Sequence, residues 1–271
     1  MYSGTTFRNN SGSIVGVHQK IDRIARRHLR ALLSDIHAFP TSAQILHFEG
    51  NNGPDGIKRK SPSKDEPWHY IDPTKPSDRV LVDLIVDHEF NLTLALKDKN
   101  MERAAFEAAW LAHAIVDGLT PAHHYPLGDK IEELWGKPHH ERITIKDKNI
   151  IKGSSRRDTI SKNWQYWGVG GVFTAHLAFE LGVAATIAPQ SFQAAGPTKN
   201  DIDELERDGL EAVFLKTVHK IADLKLYDEF GQSGWTRRLA TRTRKVLIPE
   251  MIKVVTLAWY GAYIASQKGA K

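Results

Sequence analysis

The stretch MERAAFEAAWLAHAIVDG, residues 101–118, decides the fold. Asn100 is an N-cap residue immediately before it, Gly118 and then Pro121 close it, and no β-branched run interrupts it, so it reads as one strongly apolar helix. Working outward, SDRVLVDLIVDHEFNLTLALKD (77–98) gives a second apolar helix just before it. SIVGVHQKIDRIARRHLRALLSDI (13–36) places Val17, Ile21, Ile24, His28, Leu32 and Ile36 at helical spacing, with Ser11 or Ser13 as N-cap. Thr41 opens a short helix, TSAQILHFEG, and the Gly-, Pro- and Lys-rich NNGPDGIKRKSPSKDEP (51–67) reads as loop. Beyond His123 lies a basic, turn-rich segment, read as an insertion at about 126–163, in which the ITI and NII runs suggest a short hairpin. Helical texture returns with YWGVGGVFTAHLAFELGVAATI (166–187), DIDELERDGLEAVFLKTVHKIADLKLYDEF (201–230) and a last helix from about Trp235 that Pro249 should kink. With almost no strand signal, the chain reads as all-α, a single helical domain over 1–271.

Composition narrows the chemistry. The chain has no cysteine, so any metal must sit on imidazole and carboxylate. Its net charge of +5 favours an anionic partner. The opening MYSGTTFRNNSGS shows no signal-peptide pattern, and no apolar run approaches the roughly 18 residues of a membrane span, so the sequence reads as soluble.

An imidazole and a carboxylate four residues apart on a helix share one face and can approach the same metal. Thirteen histidines, in a chain where about one residue in eight is acidic, give roughly 1.5 such pairs by chance. Four occur: His18/Asp22, His113/Asp117, His176/Glu180 and His219/Asp223. His113/Asp117 and His176/Glu180 fall in helices so apolar that both partners should be buried, where a charge needs compensation. His123 follows Asp117 by one tight turn and can reach the same cleft. For either pair alone, a hydrogen-bonded core histidine is the better reading; together with His123 a metal site is.

The stretch HAIVDGLTPAHH (113–124) resembles the signature of the zinc-dependent phospholipase C and single-strand-specific nuclease superfamily. PWHYIDP, with His69, resembles the family's histidine-aromatic-x-Asp segment. Asp55 precedes it by a similar loop length, His18 stands where the family has its N-terminal histidine, and HLAFE supplies the last pair. The resemblance covers residues 18–180 and implies Asp55, His69, His113 and Asp117 around one zinc. Asp117 would bridge to a second zinc that also holds His18, and a third would take His123, His176 and Glu180. It implies two or three zinc ions, hydrolysis of a phosphodiester by attack of zinc-bound hydroxide, and Asp55 as general base as well as ligand. Glu180 in the last pair and the lack of cysteine favour the phospholipase branch, since the nucleases carry aspartate there and disulfides elsewhere.

A phospholipid or other phosphodiester is therefore the expected substrate, with a peripheral membrane contact. The alternatives are a nuclease or nucleotidase that stacks bases on residues such as Trp68, Tyr70, Trp110, Tyr125 and Trp167, and a non-catalytic metal-binding scaffold. No stable nucleic-acid partner is expected outside the nuclease alternative. Family members are usually secreted and complete the second zinc site with the amino group of an N-terminal tryptophan. Here no tryptophan precedes Trp68, so the expectation divides three ways: the Met1 amino group serves, the natural chain starts elsewhere, or that zinc is weakly held. His139 and His140 are weaker rival ligands in an exposed turn, with the neighbouring lysines and arginines a lid or phosphate-recruiting loop. Asp22 is expected at the surface or orienting a ligand, and His28, His37, His47, His88 and His124 carry no metal role.

Overall fold

A computed structural model describes residues 16–61, 68–125 and 132–268, and these are helical with no strand among them. Helix α1 is Val17–Arg30, α2 Ser42–His47, α3 Pro54–Lys60, α4 Val80–Lys97 and α5 Met101–Gly118. Further on come α6 (Ile145–Asn149), α7 (Arg156–Trp167), α8 (Val172–Ile187), α9 (Lys199–Ala222), α10 (Leu226–Ser233), α11 (Arg237–Arg242) and α12 (Ile248–Gln267).

Helices α4 and α5 form an antiparallel hairpin whose turn places Lys99 in the left-handed region, φ 56°. The Asn100 side chain caps α5 by accepting from the Arg103 N–H at 3.0 Å, as its sequence predicts. Helix α12 packs against α1, α4, α5 and α9, and most of its residues from Met251 to Tyr263 are buried. The main core joins these helices to α8 through Phe179, Val183 and Ile187. A separate small cluster of Leu134, Trp135 and Ile151 lies beside Tyr166.

Several elements differ from the expectation. The stretch read as loop after Asn51 contains α3, with Pro54 at its first position, Asp55 in its first turn and Lys58, Arg59 and Lys60 in its last. Each of those placements favours a helix through its fixed φ or the helix dipole. The predicted ITI/NII hairpin is replaced by α6, capped by Thr144, whose hydroxyl accepts from the Asp147 N–H. Helix α1 begins after Gly16 and stops at Arg30, so Ile36 lies outside it and is exposed; Ser11 and Ser13 fall outside the described residues. Helix α7 begins within the expected turn-rich segment, capped by Ser155, and is separated from α8 at Gly168–Gly171. Helix α9 is broken at Gly209, whose φ of 80° only glycine adopts readily. The expected kink at Pro249 takes the form of a π-helical turn over Thr243–Leu247, just before the residue that cannot donate a backbone hydrogen bond.

Where α4 meets α12, Glu89 sits beside Gly261 among Leu205, Leu210 and Tyr260. Burial pushes its carboxyl up to about 7 from an ordinary value near 4.5. The folded state therefore holds the Glu89 proton more tightly than the unfolded state, and stability falls as pH rises from about 4.5 through 7. Replacing Glu89 with Gln removes this loss. The variant should unfold at higher temperature than the parent at pH 8, by about 1–3 kcal/mol, and match it near pH 4.5. Thermal melts at the two pH values check this, and an equal effect at both would contradict it.

Candidate metal centre

The ends of α1, α3, α5 and α8 and the segment after Trp68 bring their imidazoles and carboxylates to one cleft. Three sets lie with their ligand atoms within 4.8 Å of one another: His18, His113 and Asp117; Asp55, His69 and His113; and His123, His176 and Glu180. Every residue read from the sequence as a ligand is in one of these sets. His18, His69, His113, Asp117, His123 and Glu180 are buried, and His176 and Asp55 are partly open.

Asp117 is the hub. Its Oδ1 lies 3.4 Å from His18 Nε2 and 3.5 Å from His123 Nδ1, while its Oδ2 contacts His69 Nδ1 and lies 3.2 Å from His113 Nε2. One oxygen thus faces one pair of imidazoles and the other oxygen a different pair. Glu180 Oε1 plays the corresponding part at the far end, 2.9 Å from His176 Nε2 and 3.3 Å from His123 Nε2. The helix spacing explains this: four residues turn the chain through a little over one revolution, so each carboxylate lies beneath its histidine.

The imidazoles are arranged face to face in two pairs. His18 and His113 stack with ring centroids 3.9 Å apart, and His123 and His176 with centroids 4.9 Å apart. Stacked rings present their nitrogens in parallel, toward a shared centre. Several of those nitrogens have no hydrogen-bond partner despite being buried, namely both of His18, Nε2 of His69, Nε2 of His113 and Nδ1 of His176. A buried polar atom without a partner is costly, and a cation supplies one. The residues present therefore fit a metal: nitrogen and oxygen donors only, converging on one buried cleft, several of the ring nitrogens without a hydrogen bond.

Against its burial, the Glu49 and Asp117 carboxylates hold His113 well above its ordinary value, so a cation would have to displace a proton there, whereas two other rings are already neutral. Burial, with Lys58 nearby, lowers His69 to about 4, and burial lowers His123 to about 3, so both rings are neutral near pH 7. Against their desolvation, Asp117 and Glu180 are both held well below the usual carboxylate range, with the surrounding imidazoles contributing. Asp55 is held down likewise by His113 and His69 against its own desolvation. Neutral imidazole and ionised carboxylate are the forms that ligate metals.

Two carboxylates lie behind this cleft, and one of them, Glu49, was not disclosed by the sequence. Glu49, fully buried at the end of α2, places Oε2 3.3 Å from His113 Nδ1 and so fixes the ring that presents Nε2 to the centre. No local signal marks it, because its partner is 64 residues away. Asp22 is not a surface residue: it is buried, and burial followed by the nearby Glu49 charge drives its carboxyl well above the ordinary range. His123 is oriented through Nδ1, 2.7 Å from the His69 carbonyl. Replacing Glu49 with Gln should weaken metal binding about 10- to 100-fold without changing the number of ions bound at saturation. A competition titration against a chelating indicator measures this, and unchanged affinity would remove Glu49 from the orienting role.

The other histidines lie apart from the cleft. His88 Nδ1 is 2.5 Å from Glu107 Oε2, whose other oxygen pairs with Arg103, so His88 belongs to a buried structural pair and not to a bare helix face. His140 is exposed in a short 3₁₀ turn, and His124 Nε2 lies 2.8 Å from the Gly118 carbonyl. Met1, and with it the expected amino-group ligand, lies outside the described residues.

Compared with protein-family profiles, curated proteins and solved structures, the chain matches none of them.

Proposed function

We propose that the cleft binds two or three zinc ions and hydrolyses phosphodiesters, with a phospholipid head group as the preferred substrate. The observation that carries this is Asp117, whose two oxygens face separate imidazole pairs within one buried site, as a carboxylate shared between two cations requires. When bound, zinc supplies Lewis acidity, bringing the pKa of a water toward 7 and neutralising charge on the phosphoryl oxygens. The protein's own residues do the rest. Asp55 is the more open of the two carboxylates in the first two sets, which places it where it can reach the attacking water and accept its proton. Water oxygen bonds to phosphorus as the ester P–O bond breaks, giving a phosphomonoester and an alcohol. Lys58, 5.4 Å from the Tyr70 ring centroid, stands at the same edge as a cation for the substrate phosphate.

A second reading has an observation of its own. Tyr70 lies 5.1 Å from His123, the rings tilted by 43°, and Tyr125 lies 5.1 Å from Tyr227, so bases of a single-stranded nucleic acid would find aromatic faces there. Parallel assays decide: head-group release from phosphatidylcholine against digestion of single-stranded DNA, each with zinc, after chelation, and after zinc is restored. The proposal expects chelator-sensitive head-group release that exceeds DNA digestion. DNA digestion alone would favour the second reading, and no hydrolysis of either would refute the enzymatic one.

A further inference from the structure

Helix α7 has no buried residue, yet Ile160, Trp164 and Trp167 follow on one face at i, i+4, i+7 spacing. Ile160 is 71% exposed and Trp164 66%, and at the turn into α8 Val169 is 90% exposed. Scattered exposed apolar side chains are ordinary, but a contiguous group of large ones marks a contact surface. Across the turn Phe173 lies 4.7 Å from the Trp167 ring, and Phe173, Leu177 and Leu181 continue the surface along α8. Helix α8 is apolar on nearly every side, yet only Phe179, Glu180, Val183 and Ile187 of its sixteen residues are buried. A helix of that composition normally has an apolar environment all round.

Charge identifies the occupant. Arg156 and Arg157 open α7 exposed, with no ion-pair partner among the described residues, while Lys152 just before them pairs with Asp147 at 3.5 Å. Exposed tryptophans beside unneutralised arginines match the boundary of an anionic bilayer, where aromatic rings sit at the head-group level and cations meet lipid phosphate. The segment 156–187 is long and apolar enough by count to cross a membrane. It is broken at Gly168–Gly171, however, and α8 alone has sixteen residues against the roughly 20 a span needs. The hairpin therefore suits lying in the interface.

We propose that the α7–α8 hairpin docks this protein onto an anionic lipid surface, with Ile160, Trp164 and Val169 inserted among the acyl chains and Arg156 and Arg157 against the lipid phosphates. The stripe of His176 and Glu180 lies on the adjoining face of α8, so docking would bring the metal cleft to the lipid head groups. In that consequence the proposal rests on the lipid reading of the cleft; in its geometry it does not.

Flotation with vesicles of phosphatidylcholine and phosphatidylglycerol, in the presence of chelator, measures docking without turnover. The full-length protein should float with phosphatidylglycerol-containing vesicles and much less with pure phosphatidylcholine. The double variant Trp164→Gln, Val169→Glu and the double variant Arg156→Glu, Arg157→Glu should each lower the bound fraction at least roughly tenfold. Both should hydrolyse a water-soluble phosphodiester as the parent does, since none of the four residues belongs to the cleft. Equal flotation of parent and variants would overturn the proposal. So would light scattering that shows a dimer abolished by the same substitutions, which would assign the surface to a second copy of the chain. If flotation behaves as expected and no diester is cleaved, docking stands and the hydrolase reading fails.

Discussion

Replacing Asp117 with Asn should cost the protein more than one metal ion per chain, whereas replacing His123 with Ala should cost about one. Asp117 contacts His69 and lies within 3.5 Å of His18, His113 and His123, so its carboxylate meets imidazoles of all three sets, while His123 belongs to one. An amide keeps the shape but brings no charge, and only its oxygen can face a cation. The nitrogen then points at a metal, which it cannot ligate, or takes up an imidazole nitrogen that would otherwise face the cation. On the proposed hydrolase reading, phosphodiester hydrolysis should fall by about a thousandfold or more, since several kilocalories per mole of charge stabilisation would be removed from the transition state. Elemental analysis of the two variants beside the parent gives the comparison. Equal losses would show that Asp117 is not shared.

The largest effect on stability is expected at Trp259, well away from the cleft. Its side chain is fully buried in α12, its indole N–H donates to the Ala108 carbonyl of α5 at 2.9 Å, and its ring lies 5.8 Å from Phe39. Helix α5 carries His113 and Asp117, so this contact also holds the site's main helix against the core. Trp259→Ala should destabilise by about 3–5 kcal/mol, a lowering of roughly 10 °C in Tm for a chain of this size. Trp259→Phe keeps most of the packing and loses the hydrogen bond, so it should cost distinctly less. Thermal melts of the two variants test the ordering. A Phe variant as unstable as the Ala variant would shift the weight from packing to the hydrogen bond.

Helix α5 was fully legible in the sequence because its signals are local: an asparagine cap, an apolar run, a glycine stop. The ligand sets were legible for a related reason. His113/Asp117 and His176/Glu180 are paired by helix geometry, and burial in apolar helices distinguishes them from His219/Asp223. Joining Asp55 and His69 to them took a resemblance, because nothing local says that a residue on α3 and one after Trp68 meet at His113. Helix α3 itself was missed because Gly53, Pro54 and Gly56 weigh as breakers, although a proline at the first position starts a helix well. Glu49 was missed for the opposite reason. Its role is set by a contact with His113, 64 residues away, and nothing local in the sequence marks it. The ITI and NII runs have the β-branched composition of strands, but they are short, and the Thr144 cap and Asp147 close them into a helical turn instead.

The measurement closest to the central claim is the position of bound metal. Crystals of the full chain grown with zinc, with anomalous differences collected on both sides of the zinc absorption edge, should show peaks in the cleft. One is expected beside Asp55, His69 and His113, one beside His18 and Asp117, and one between His123, His176 and Glu180, with Asp117 touching more than one of them. Two peaks sharing Asp117 would satisfy the account. A cleft with no anomalous peak, its imidazoles and carboxylates paired only with one another and with water, would contradict it.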